Sequence, residues 1–257
     1  MAPQKIGLAL GGGAAKGLAH IGVLKVLVNA GYSFHCIAGT SIGSLIGAFY
    51  ASGMDLKSME QLACNLDRTT WIDLNIPTLG IFEGSKLEQL VSLLTKKKTF
   101  EQLLIPLSVV AADLYTGEKI VINTGKVAPA VRASCSIPGI FRPVKWEERL
   151  LIDGGVVDRV PASVAREMGA DFVLAVDPGI YLQNQKINHI MDVITQSIDI
   201  MSRELSYYRT QSADFIISPD LESVAASQFN LAAKAIAIGA EAAEKALQPF
   251  KKMLGEK

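Results

Sequence analysis

A chain of 257 residues that is 49% hydrophobic is long enough to bury one substantial core. Lys plus Arg and Asp plus Glu number 25 each, so the formal net charge is zero. That balance argues against a basic nucleic-acid-binding surface and against an acidic, disordered chain.

The elements alternate along the chain. Lys5 to Leu10 reads as a short apolar strand, followed by the turn Gly11-Gly12-Gly13-Ala14-Ala15-Lys16-Gly17 and a helix that ends near Gly31. Tyr32 to Ala38, rich in aromatic and β-branched residues, is a second strand. Ile42, Leu45, Ile46, Phe49 and Tyr50 then recur at helical spacing, with Gly53 as the stop. Asp55 caps a helix that runs to about Leu66, and residues 67–82, with Trp71, Pro77 and Gly80, look irregular. Gly84 to Leu94 is helical with Ser85 as N-cap. The run Lys96-Lys97-Lys98 that follows suits a solvated helix end.

Pro106 to Ala112 and Lys119 to Asn123 are strands joined by a turn at Tyr115-Thr116-Gly117. Val127 to Ser134 is a short helix. Arg149 to Ile152 is a strand that runs into Asp153-Gly154-Gly155. Ala162 to Met168 is helical, and Phe172 to Val176 is a strand apolar enough to be buried on both faces. A long helix from His189 to about Gln211, a strand from Phe215 to Ser218 and a closing helix from Leu231 to Met253 complete the chain. Strand and helix alternation implies a mainly parallel sheet between helical layers, α/β/α, in a single domain spanning residues 1–257.

Cys36, Cys64 and Cys135 fit neither a zinc pattern nor a CxxC pair, and the expectation is three reduced, buried thiols in a cytoplasmic protein. The N-terminus lacks the apolar stretch of a signal peptide, and no apolar run reaches the ~20 residues of a membrane span.

Two glycine-flanked loops carry chemistry. In Gly39-Thr40-Ser41-Ile42-Gly43 a serine sits between strand and helix, where a sharp reversal pushes its hydroxyl up at a helix N-terminus. An ordinary βα turn with a capping serine fits the same residues. Gly11-Gly12-Gly13 also follows a strand and opens a helix, so its N–H groups could hold a phosphate, hold the oxyanion of an acyl intermediate, or simply allow close packing. Nucleotide spacing is wrong: Lys16 precedes Gly17 with no Ser or Thr after it, and Ala14 stands where a dinucleotide fingerprint needs glycine.

A serine nucleophile needs a base. His20 reads as a core histidine on its helix, and neither His35 nor His189 lies in a loop after a strand. Asp153 does, ahead of Gly154 and Gly155, although an aspartate there also suits a plain turn.

Taken in order, the Gly11–Gly17 loop, the Gly39–Gly43 turn, the run Ala133-Ser134-Cys135-Ser136-Ile137-Pro138-Gly139-Ile140-Phe141 and Asp153-Gly154-Gly155 resemble the patatin-like phospholipases. The resemblance is to bacterial members related to the catalytic domain of neuropathy target esterase, with the core motifs within residues 6–166. It implies a Ser41–Asp153 dyad, an oxyanion hole from the amides of Gly12, Gly13 and Ala14, and supporting roles for Gly11, Gly39, Gly43, Gly154 and Gly155. Alanine at 14, where many relatives have glycine, is expected to keep its N–H in a right-handed conformation. Lys16 is expected to anchor the loop, and Asp158 is given no role.

The activity implied is hydrolysis of an acyl lipid or lysophospholipid through an acyl-enzyme, with no cofactor, metal or nucleic-acid partner. Transfer of the acyl group to an alcohol, or a non-catalytic scaffold that keeps the fold, stands as the alternative. A soluble enzyme of this kind would meet its lipid at a membrane surface, on the inner face of the cell.

Overall fold

A computed structural model describes residues 5–65, 73, 79–179, 190–209 and 212–255. Strands β1 (Ile6–Leu10), β2 (Cys36–Thr40), β4 (Leu107–Asp113) and β9 (Phe172–Val176) are buried at every position. Unbroken burial, rather than alternation, is the pattern of strands covered on both faces. They align in parallel in the order β10 (Phe215–Ile217), β9, β1, β2, β4.

Alternate residues feed two cores. Leu8, Leu10, Ile37, Val109, Leu174 and Val176 join the larger one, under helices α1 (Ala19–Asn29), α2 (Ile42–Ala51) and α8 (Ala232–Met253). Ala9, Ala38, Val110 and Ala175 face the other way, against α6 (Ala162–Glu167). The layers are α/β/α, as expected. α1 and α8 touch backbone to backbone: a Cβ on Gly22 would lie 1.9 Å from Ile236 O, and one on Gly239 would lie 2.1 Å from Ala19 O.

Beyond β4 the sheet turns antiparallel. β5 (Lys119–Ile122), β8 (Arg149–Asp153) and β7 (Val144–Trp146) complete it. β5 pairs with Val109 to Ala112, overlapping the stretches of β4 used by both β2 and β8. A strand has two edges, so β2 and β8 share the opposite one, end to end. Thr40 pairs with Val110, and Asp153 pairs with the next residue, Ala111. Sheet register alone therefore sets Asp153 beside the end of β2.

Several local expectations are corrected. The second strand begins at Cys36, because Tyr32 N–H instead closes the end of α1 on Leu27 O at 3.1 Å. Residues 80–82 form a strand, β3 (Gly80–Phe82), that pairs with β6 (Gly139–Phe141), which the sequence does not announce. Trp71, Pro77 and His189 lie outside the described residues. Helix α3 (Leu56–Asn65) is capped as expected, with Ser58 N–H donating to Asp55 Oδ1 at 2.8 Å. Helix α4 (Ser85–Leu94) is not capped by Ser85. Gly84, left-handed at φ 79, holds that position, and the Asp73 carboxylate accepts from the N–H groups of Gly84, Ser85 and Lys86. Cys36 and Cys135 are buried, but Cys64 is exposed on α3.

Candidate active site

Ser41 joins β2 to α2 at φ 53, ψ −126, a conformation rare outside glycine. Its neighbours hold it there. Ser41 N–H donates to Ser134 Oγ at 2.8 Å, and that hydroxyl donates in turn to Val110 O at 2.6 Å. Ser41 O accepts from Ser44 N–H at 2.8 Å and from Ser44 Oγ at 2.6 Å, closing the first turn of α2. The flanking glycines are required by contact. A Cβ on Gly39 would stand 2.6 Å from Ser44 Cα, and one on Gly43 would stand 2.1 Å from Leu10 O. A strand and a helix this close leave the serine side chain as the group that projects.

Asp153 ends β8. Its N–H donates to Ser136 O at 3.0 Å, and its Oδ1 accepts from Gly155 N–H at 2.8 Å. The Ser41 and Asp153 side chains line the same pocket, where the Ser41 hydroxyl favours the charged form of the carboxylate. Burial pushes its pKa up from 3.8 to about 6, partly opposed by Ser41, Gly155 N–H and the charge of Arg159. A Cβ on Gly154 would meet Val110 O at 2.3 Å, so only glycine lets the chain cross β4 after Asp153. The segment Ser134-Cys135-Ser136, after helix α5 (Val127–Ser134), touches both residues: one hydroxyl for Ser41, one carbonyl for Asp153. Between them the Cys135 thiol is held neutral, its pKa pushed up to about 12 by burial and by the charge of Asp153.

The glycine loop is clamped on three sides. Gly11 N–H donates to Val176 O at 3.0 Å, Gly12 N–H to Arg159 O at 2.9 Å, and His20 Nε2 to Gly11 O at 2.8 Å. The Gly12 amide is thus engaged by Arg159, which removes it from the expected set of oxyanion donors. The Gly13 and Ala14 N–H groups make no hydrogen bond among the described residues, and both residues line the pocket that holds Ser41. Ala14 does not sit in the expected right-handed region; its φ is 46. His20 lies fully buried beneath the loop, its pKa lowered to about 4 by burial, and its Nδ1 has no partner among the described residues. It supports the loop and does not line the pocket.

Two pockets meet at Ala14, Ser41 and Ile137. One is lined by the charged residues Asp153, Lys16, Arg159 and Asp199. Lys16 is buried there, its pKa lowered by burial against the opposing pull of Asp199. Arg159 was not singled out by sequence. Its Nη2 donates to Gly179 O at 2.7 Å, and it lies 3.8 Å from Asp177 and 3.9 Å from Asp199 of helix α7 (Ile190–Arg209). Asp158, given no role by sequence, braces the end of β2. Thr40 Oγ1 donates to its carbonyl at 2.8 Å, and Lys119 binds its carboxylate at 3.0 Å. The second pocket is apolar, walled by α1, α2, α3 and α4. Among the described residues no helix is long and apolar enough to cross a membrane, and no group of His, Cys, Asp and Glu could hold a metal ion.

These features define an α/β protein with a serine at a strand–helix elbow facing a buried carboxylate. The patatin-like phospholipase family model matches residues 8–166, and the chain belongs to that family. It is 37% identical over 175 residues to an uncharacterized NTE family protein of Mycobacterium bovis, covering 67% of this chain and 48% of the relative. It is 36% identical over 182 residues to patatin-like phospholipase domain-containing protein 6 of Mus musculus, covering 68% of this chain and 13% of that protein. The chain thus spans about half the length of the mycobacterial relatives and a small part of the mouse one. The fold is similar to that of VipD from Legionella pneumophila, with a TM-score of 0.69 at 14% identity over 96% of this chain and 67% of that one. It is also similar to the type III effector protein ExoU, with a TM-score of 0.54 at 16% identity over 96% of this chain and 53% of that one.

Proposed function

We propose that the protein is a serine hydrolase of lipid carboxylic esters, of the lysophospholipase or phospholipase type. Membership of the patatin-like phospholipases supports a lipid hydrolase in general. The observation that carries the finer reading is that Ser41 and the buried Asp153 share one charge-lined pocket, which meets an apolar pocket at Ser41.

Ser41 Oγ attacks the acyl carbonyl while its proton passes to Asp153. The carbonyl oxygen becomes an oxyanion and accepts from the Gly13 and Ala14 amides, with the N-terminal end of α2 beneath. The C–O bond to the alcohol breaks, and Asp153 returns the proton to the departing oxygen. A water that gives its proton to Asp153 then attacks the acyl-enzyme. The fatty acid leaves, and Ser41 regains its proton. The acyl chain occupies the apolar pocket and the alcohol portion the charge-lined one. An aspartate of ordinary acidity is a weak base; at about 6, Asp153 is a better one and is still largely ionised at neutral pH.

Ser41→Ala and Asp153→Asn are each expected to lower p-nitrophenyl ester hydrolysis by about 10³-fold or more, with circular dichroism unchanged. The wild-type kcat/KM should rise with pH through about 6 as Asp153 ionises. A fluorophosphonate should label Ser41. Full turnover in either variant, or labelling of another residue in an active preparation, would remove the dyad.

A further inference from the structure

The apolar pocket follows one helix. Its lining residues on α2, Ile42, Leu45, Ile46 and Phe49, form successive rows of a single face that starts at Ser41. Eight residues separate Ser41 from Phe49, a rise of about 12 Å. At that distance the lining is deep: Phe49 is buried, as are Ile21 of α1, at 0% exposure, and Met59 of α3, at 1%. Half-buried Leu62, Leu90 and Phe229 form the outer rim. Apart from Ser41 and Cys135, every side chain that lines the pocket is apolar. An acyl chain fits such a lining, and a polar head group would lose its hydrogen bonds there.

We infer that this pocket is an acyl ruler. It encloses an octanoyl to decanoyl chain whose carbonyl lies at Ser41, and it ends at Phe49 and Met59. The inference rests on the hydrolase reading above and adds to it a medium-chain acyl preference and the residue that sets it. Met59 is the adjustable part. It reaches the pocket from α3, an element separate from the helix that carries Ser41, and its unbranched side chain fills the end. Each methylene that enters an apolar site gains roughly a fourfold preference. Selectivity should therefore climb steeply with chain length and stop where the pocket stops.

The test is the kcat/KM profile for p-nitrophenyl esters from acetyl to palmitoyl at one detergent concentration. In the wild type it should rise about threefold to fourfold per methylene from butanoyl, peak at octanoyl or decanoyl, and fall roughly tenfold by palmitoyl. Met59→Ala should move the peak to longer chains and Met59→Phe to shorter ones. If Met59→Ala does not fold, Met59→Val carries the same expectation with a smaller shift. Equal use of octanoyl and palmitoyl esters by the wild type overturns the ruler, as does a peak that stays in place in the folded variants. Absence of turnover with every ester overturns the hydrolase reading itself and the ruler with it.

Discussion

Two turns stand side by side at the ends of the neighbouring strands β1 and β2. Both lead into a helix, and both carry a non-glycine residue at positive φ, Ala14 at 46 and Ser41 at 53. They differ in what is left over once their hydrogen bonds are made. At Ser41 the N–H and the carbonyl are both engaged, so the turn offers a side chain. At Gly13 and Ala14 the N–H groups are spare among the described residues, and the loop offers peptide donors. Their packing differs too. A Cβ on Gly39 or Gly43 would find its nearest neighbour, a backbone atom, at 2.6 or 2.1 Å, whereas one on Gly11, Gly12 or Gly13 would find its nearest neighbour at 3.0 to 3.5 Å. The same strand–turn–helix unit thus leaves a projecting hydroxyl when it is closed and open peptide N–H groups when it is roomy.

The contrast can be broken most severely at Gly43. A methyl there must drive α2 away from Leu10 O, so Gly43→Ala should cost about 3 kcal/mol or more in urea unfolding. Gly12→Ala sharpens the comparison from the other side. Its methyl would sit 3.5 Å from Ser41 Cβ, over that side chain and clear of any backbone clash. Stability should stay within about 1 kcal/mol of wild type, while ester turnover falls about 10- to 100-fold. A Gly12→Ala protein that unfolds as readily as Gly43→Ala would show that the two turns are packed alike. The smallest effect is at Ala14. Glycine relieves the left-handed strain but adds freedom to the unfolded chain, so Ala14→Gly should raise stability by no more than about 1 kcal/mol. A loss of stability would mean that the alanine methyl packs usefully between the two pockets it lines.

Much of the layout could be read in the chain. Runs such as Phe172 to Val176 marked strands covered on both faces, and glycine and proline punctuation placed most helix ends. Ser41 and Asp153 stood out because each follows an apolar strand and is flanked by glycine. What escaped was everything that depends on approach in space. Ser134 sits in a motif with no local signal for its bond to Ser41 N–H, 93 residues away. Arg159 follows a turn as an ordinary charged residue would, and only the fold shows that its carbonyl occupies Gly12 N–H. The cap on α4 comes from Asp73, 11 residues before the Gly84 N–H it accepts, so the local rule pointed to Ser85. The pairing of β3 with β6 was invisible for a similar reason, since two three-residue strands 59 positions apart leave no periodicity to read.

The region matched by the family model closes at residue 166, yet the loop that offers its amides is held in part from beyond it. Val176 of β9 fixes Gly11, and Ala226 accepts the Ala15 N–H at 3.0 Å. α8 presses on α1 through bare glycine backbone just past that loop. Fragments cut at the motif boundary would carry every recognisable signature and still lose the bonds that Val176 and Ala226 make to the loop. Conversely, a side chain at Gly239, far along the chain from Ser41, would clash with Ala19 O at 2.1 Å and loosen the seat of that loop together with the fold.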